Sequence, residues 1–165
     1  MVNQKSGNLP VQLTSFIGRQ GELAAVRERL ADPSCRLLTL VGPGGIGKTR
    51  LAIEVVMSMQ REFEDGVYFV PLQSITSPGA LVPAIADALG LSLSGGTSRE
   101  QQLGNYMRDK RLLLLLDNFE QLLWPAQRSQ QRRAQSLNGS GAPFLGALLR
   151  SAAGIRLLVT SRRYD

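Results

Sequence analysis

The sequence predicts an α/β fold of three layers, with a mainly parallel central sheet flanked by helices. Three observations predict it. Short apolar runs alternate with stretches of helical periodicity along the chain. The runs 37–41, 67–70, 112–116 and 155–160 are largely apolar at consecutive positions, as in strands buried on both faces. The 165 residues fit one domain with a real core, and hydrophobic and charged contents of 43% and 19% are those of a soluble globular chain.

The elements follow in order. Residues 1–15 read as an extended leader, with the domain spanning 16–165. Residues 22–30 read as a helix with Leu23, Val26 and Leu30 on one face, broken by Pro33 and Ser34. The run 37–41 is a buried strand. Residues 48–63 read as a second helix, with Leu51, Ala52, Val55, Val56 and Met59 at helical spacing. Asp65-Gly66 marks a turn before the strand 67–70. Pro78-Gly79 opens a third helix that Gly90 ends. Ser98 caps a fourth, running to about Asp109. The strands 112–116 and 155–160 complete the pattern. Residues 125–143 are rich in Gln, Arg, Ser and Gly without apolar periodicity, and read as a flexible surface insertion.

Composition excludes several classes. No apolar segment at the N-terminus resembles a signal peptide, and 112–116 is far too short to span a bilayer. A single cysteine, Cys35, rules out an intramolecular disulfide and suits a reducing cytoplasm; it reads as a small filler near the core rather than a reactive thiol. The chain has no histidine, and so lacks the usual general base and the commonest metal ligand. The net charge is +6, and after Glu120 the only acid is Asp165. That balance permits polyanion contact without establishing it. No helix-turn-helix pattern accompanies it, and only Trp124 lies near the basic stretch to stack on a base, so a solvated basic loop is the simpler reading.

The chemistry concentrates after the first strand. Gly42-Pro43-Gly44-Gly45-Ile46-Gly47-Lys48-Thr49 matches G-x-x-x-x-G-K-[ST] between an apolar strand and an amphipathic helix. Glycines let successive N–H groups turn inward onto a phosphate chain, and the helix start adds a favourable dipole. Lys48 can reach the β- and γ-phosphates, and the Thr49 hydroxyl can hold Mg²⁺. Gly42, Gly44, Gly45, Ile46, Gly47, Lys48, Thr49 and the adjoining Arg50 are therefore the candidate nucleotide contacts.

A phosphate loop that holds Mg²⁺ needs an acid at the end of a neighbouring strand, and Asp117 follows the run 112–116 in that position. A helix-capping or turn role is its alternative. Beyond it, Glu120 has the chemistry of a base for an attacking water, and Asn118 can only position one; a solvated loop is the competing reading of Glu120. The strand 155–160 also ends in polar residues. Arg162 could reach a γ-phosphate or be a surface arginine, and Thr160 and Ser161 could bond phosphate or water.

Phe16-Ile17-Gly18-Arg19, the glycine loop, "LLLLLDNFEQLL" and "RLLVTSR" come in an order that resembles the STAND class of P-loop ATPases. Within it, the chain is most similar to the NB-ARC-like module of bacterial transcriptional regulators. The resemblance implies a P-loop NTPase fold and ATP/ADP with Mg²⁺ as cofactors. It implies Ile17, Gly18 and Arg19 as contacts beside the adenine and ribose, Asp117 as the Mg²⁺ acid, and Arg162 as a sensor arginine. It also implies a nucleotide-dependent switch that often oligomerises, with slow turnover. Many relatives carry two adjacent acids where this chain has Asp117-Asn118. They continue after the "TSR" strand into a small helical domain and a winged helix, so the chain reads as the nucleotide-binding core of a longer parent.

The function expected is thus an ATP/ADP-binding switch module of a signalling or transcriptional regulator, with slow Mg²⁺-dependent hydrolysis at most. An active P-loop ATPase or phosphotransferase is the alternative. A nucleic-acid-binding module ranks below both, and a membrane partner is not expected.

Overall fold

The computed structural model describes residues 7–123 and 141–162. Trp124, most of the basic segment (125–140), the first six residues and Arg163 to Asp165 lie outside them. The elements are α1 (Gln20–Ala31), β1 (Leu37–Gly42), α2 (Lys48–Ser58), β2 (Val67–Pro71), α3 (Leu81–Leu89), α4 (Arg99–Met107), β3 (Leu113–Asp117), α5 (Glu120–Leu123), α6 (Gly141–Ser151) and β4 (Arg156–Arg162). Single 3-10 turns at Gln60–Glu62 and Pro78–Ala80 follow α2 and precede α3.

The four strands form one parallel sheet in the order β1-β4-β3-β2. Leu113, Leu115 and Leu158 pack on one face against α1 and α2, with Val26, Leu30, Val55 and Val56. On the other face, Leu114, Leu116, Leu157 and Val159 meet α3, α4 and α6 through Ile85, Leu103 and Leu148. Every residue of β3 is buried. Sinking each such leucine contributes about 1.5–3 kcal/mol, so β3 anchors both layers. The expected three-layer α/β architecture is the one found. β1 departs from the expectation of burial on both faces. It lies at the sheet edge, and Leu37 and Val41 are exposed.

Local signals explain the boundaries. The Ser98 hydroxyl accepts from the Gln101 N–H at 3.1 Å and caps α4. Gly90, at φ 68, ends α3, and the next N–H, of Leu91, returns to Ala86 O at 2.8 Å. The second helix stops at Ser58 and tightens into a 3-10 turn before Phe63, where the periodicity had extended it. Gly141 to Pro143, read as the end of a loop, are the first turn of α6, where proline is tolerated. Gly154 passes so close to the Lys110 carbonyl that a Cβ would run into it. Gly154→Ala is expected to cost about 1–3 kcal/mol, read as a lowered midpoint in thermal unfolding.

Three arginines close helix C-termini, where carbonyls lack partners and the dipole favours a cation. Arg156 donates to Leu30 O at the end of α1. Arg27 donates to Ser58 O at 2.5 Å at the end of α2. Arg36 donates to Leu149 O at 2.6 Å, and also to Ala152 O, at the end of α6. Part of the basic excess therefore serves the fold. The leader is fastened too: Asn8 exchanges two hydrogen bonds with the Phe69 backbone, at 2.9 and 2.7 Å, beside a bridge from Gly7 to Val67.

Candidate functional site

Parallel pairing sends all four strand C-termini to one edge. Register sets Gly42 beside Arg162 and Pro71 beside Asp117. The chain leaves β1 at Gly42, and Gly45 and Gly47 take φ of 79° and 80°, a left-handed conformation that other residues adopt only with strain. Gly47 is the N-cap of α2, so the helix starts with its free N–H groups toward the loop. Lys48 folds back over it, with Nζ donating to Gly42 O at 2.8 Å and Pro43 O at 2.6 Å. The Arg162 guanidinium lies against the loop, and a Cβ at Gly44 would sit 3.3 Å from its central carbon.

Asp117 is buried at the end of β3. Its Oδ1 accepts the Thr49 hydroxyl at 2.7 Å and the Thr160 hydroxyl at 2.5 Å. Thr160 Oγ1 in turn accepts the Asn118 N–H at 3.0 Å. One carboxylate of β3 thereby keys α2 and β4 together. Hard oxygen donors of this kind suit Mg²⁺. Among the described residues no three His, Cys, Asp or Glu side chains gather, so Mg²⁺ held here by Thr49 and Asp117 would complete its shell with phosphate or water oxygens. Asp117→Asn keeps an acceptor for the two hydroxyls and removes the charge. It is expected to lower the Mg²⁺-dependent gain in ADP affinity at least tenfold, measured by titration with and without the ion.

Asn118 has a φ of 62°, and asparagine is enriched several-fold in that left-handed region. Aspartate is enriched there as well, so this backbone would accept either residue. Glu120, the expected base, is 2% exposed. Its Oε1 accepts Asn118 Nδ2 at 3.1 Å and lies 3.6 Å from Arg162 Nε, while Oε2 accepts the Arg162 N–H at 3.0 Å. It ties the start of α5 to the end of β4 and also lines the cleft beside Asn118 and Arg162.

Of the three expected base-side residues, Ile17 is 87% exposed and Gly18 is left-handed at φ 76°. Arg19 reaches the loop, with Nη1 donating to Ile46 O at 2.7 Å and Nε to Glu22 Oε1 at 3.0 Å. That hydrogen bond, helped by the charge behind it, holds the Glu22 carboxyl below its ordinary range. The pair's contribution is therefore complete above the unfolded pKa of a glutamate and is lost as pH falls through the lower folded value. Arg50 lines the cleft and is held to the leader, where it donates to Thr14 O at 2.5 Å and lies 5.9 Å from the Phe16 ring centre. An open cleft of about 470 Å³ joins the loop to Asn118, Thr160 and Arg162, and Gln12 and Gln73 also line it. Sequence reasoning missed both glutamines. Gln73 stands just past β2, whose place next to β3 only the strand order reveals; no signal in the sequence marks Gln12.

A parallel sheet between helix layers, with a glycine loop, an acid and an arginine at one strand edge, defines the P-loop ATPase fold. Solved structures agree on the fold. The chain superposes on the ORC2 protein of Aeropyrum pernix with a TM-score of 0.62 and 17% identity, over 89% of this chain and 41% of that one. Cdc6p of Pyrobaculum aerophilum gives 0.57 and 19%, over 94% and 41%. The chain belongs to the NB-ARC family, whose domain model matches residues 19–135. An uncharacterized protein of Mycobacterium tuberculosis is 36% identical over 149 residues, 90% of this chain and 34% of its own length. The regulatory protein AfsR of Streptomyces griseus is 30% identical over 125 residues, 69% of this chain and 13% of its own. A Mycobacterium tuberculosis protein provisionally described as an HTH-type transcriptional regulator is 43% identical over 88 residues, 53% of this chain and 10% of its own. The chain thus spans about a third or less of the length of these relatives. Among the described residues no helix is long and apolar enough to cross a membrane.

Proposed function

We propose that this chain is the ATP/ADP-binding switch module of a longer cytoplasmic signalling or transcriptional regulator, hydrolysing ATP slowly at most. One observation carries the reading: Lys48 at the start of α2, Asp117 at the end of β3 and Arg162 at the end of β4 converge on a single glycine loop. The loop N–H groups and Lys48 would hold the β- and γ-phosphates. Thr49 and Asp117 would hold Mg²⁺, which neutralises phosphate charge when bound. Ile17, Gly18 and Arg19 would flank the base and ribose, with Arg50 fixing the leader beside them. Arg162, already lying over the loop, would exchange its contact with Glu120 for a terminal phosphate, and so sense it. Support comes from the ORC2 neighbour, solved in ADPNP and ADP complexes, and from the regulators among the relatives. A longer parent would supply the DNA contact and any nucleotide-dependent oligomer; the described arginines that cap helices argue against direct DNA binding by this domain.

The test is calorimetric titration of the chain with ADP and with ATP, each with Mg²⁺. Saturable binding of either supports the reading, and the preferred nucleotide identifies the favoured state. A folded chain that binds neither would sink it, and steady turnover at motor-like rates would replace it with an active ATPase.

A further inference from the structure

The bonds around Glu120 leave the hydrolytic water without an evident partner. Both Glu120 oxygens accept from Asn118 and Arg162, and Asp117 Oδ1 accepts from two hydroxyls. Glu120 lines the cleft, but both of its oxygens already have donors, and Asp117 is keyed to Thr49 and Thr160. The cleft wall offers a different group. Gln73 lies two residues beyond Pro71, the strand partner of Asp117. The Leu72 N–H donates to Asp117 O at 3.0 Å, and the Ile75 N–H closes a turn onto Leu72 O at 3.1 Å. Gln73 is thus fixed on a turn pinned to the Asp117 backbone. Its side chain lines the same cleft as Thr49 and Arg162, is exposed, and makes no hydrogen bond among the described residues.

We infer that Gln73 orients the attacking water, a role that rests on the nucleotide-binding reading above. A primary amide suits it: the carbonyl oxygen accepts a hydrogen bond from the water while the NH₂ group donates to a phosphate oxygen, with no proton taken up. In the step it assists, the water oxygen forms a bond to the terminal phosphorus. The bond from that phosphorus to the bridging oxygen breaks, and its electron pair leaves with ADP. The water proton passes to an oxygen of the phosphate formed, because the amide cannot hold it. A water that is aimed but not deprotonated fits slow turnover, and a nucleotide switch needs slow turnover.

The experiment compares Gln73→Ala with the unaltered chain, by calorimetry, for Mg²⁺–ADP alone and for Mg²⁺–ADP with aluminium fluoride, which mimics the phosphoryl group in flight. The inference requires the unaltered chain to bind the fluoride complex more tightly than ADP. Gln73→Ala should leave ADP affinity within twofold and weaken the fluoride complex at least tenfold. Equal affinities in the two chains, or no tightening by fluoride in the unaltered one, would overturn it. Failure to bind ADP at all would instead count against the nucleotide-binding reading. Single-turnover hydrolysis abolished by Glu120→Gln, while Gln73→Ala still hydrolyses at the original rate, would return the role to Glu120.

Discussion

Lys48→Ala is expected to abolish measurable binding of ADP and ATP, a loss of at least about a hundredfold, or about 2.8 kcal/mol. The size follows from the environment of the ammonium. Two of its three N–H donors already engage loop carbonyls, at 2.8 and 2.6 Å, so the side chain is held over the loop before any ligand arrives. A phosphate oxygen that replaces or joins those carbonyls gains a charge-assisted hydrogen bond without having to order the lysine. Folding should be affected far less than binding. The two hydrogen bonds lost are worth about 1 kcal/mol each at most, so the thermal midpoint should fall by about 8 °C or less. Unchanged affinity in calorimetric titration of the variant would mean that nucleotide, if bound, lies elsewhere.

Glu120→Ala is expected to act on stability, lowering it by about 3 kcal/mol and the thermal midpoint by about 6–12 °C. The Arg162 N–H and the Asn118 amide would lose their acceptor where Glu120 is buried, and a void would replace the carboxylate. Glu120→Gln should recover most of the loss. Its carbonyl can accept the Arg162 N–H, and the Asn118 amide can rotate to offer oxygen to the new NH₂ group. If Glu120→Ala is as stable as the unaltered chain, the carboxylate does not tie α5 to β4.

Much of this was legible from residues close together in sequence. The leucine run of β3 announces a strand buried on both faces, and the glycine loop is contiguous, so its strand–loop–helix context could be read directly. Ser98 and Gly90 mark helix ends by local chemistry. The misses share a cause. Helix α6 was overlooked because Gly141, Pro143 and Gly146 interrupt it, although Leu145, Leu148 and Ala152 recur at helical spacing and are buried. Gln73 joins the cleft through a strand order that no local pattern encodes. For Glu120 the sequence offers the chemistry of a base, and only the third dimension adds that its two oxygens accept from Asn118 and Arg162 while the residue lines the cleft.

The strand order also sets a schedule for acquiring the fold. Among the described residues β1 has one strand neighbour, β4, which registers Leu37 against Leu157 and comes after all the others. During synthesis the glycine loop therefore emerges early on a strand with nothing to pair with. Most of the chain must follow before Arg162 can take its place beside Gly42. Contacts so distant in sequence close late and slowly. An interrupted or truncated chain would carry the whole phosphate motif yet lack the geometry to use it, so nucleotide binding would report completed folding.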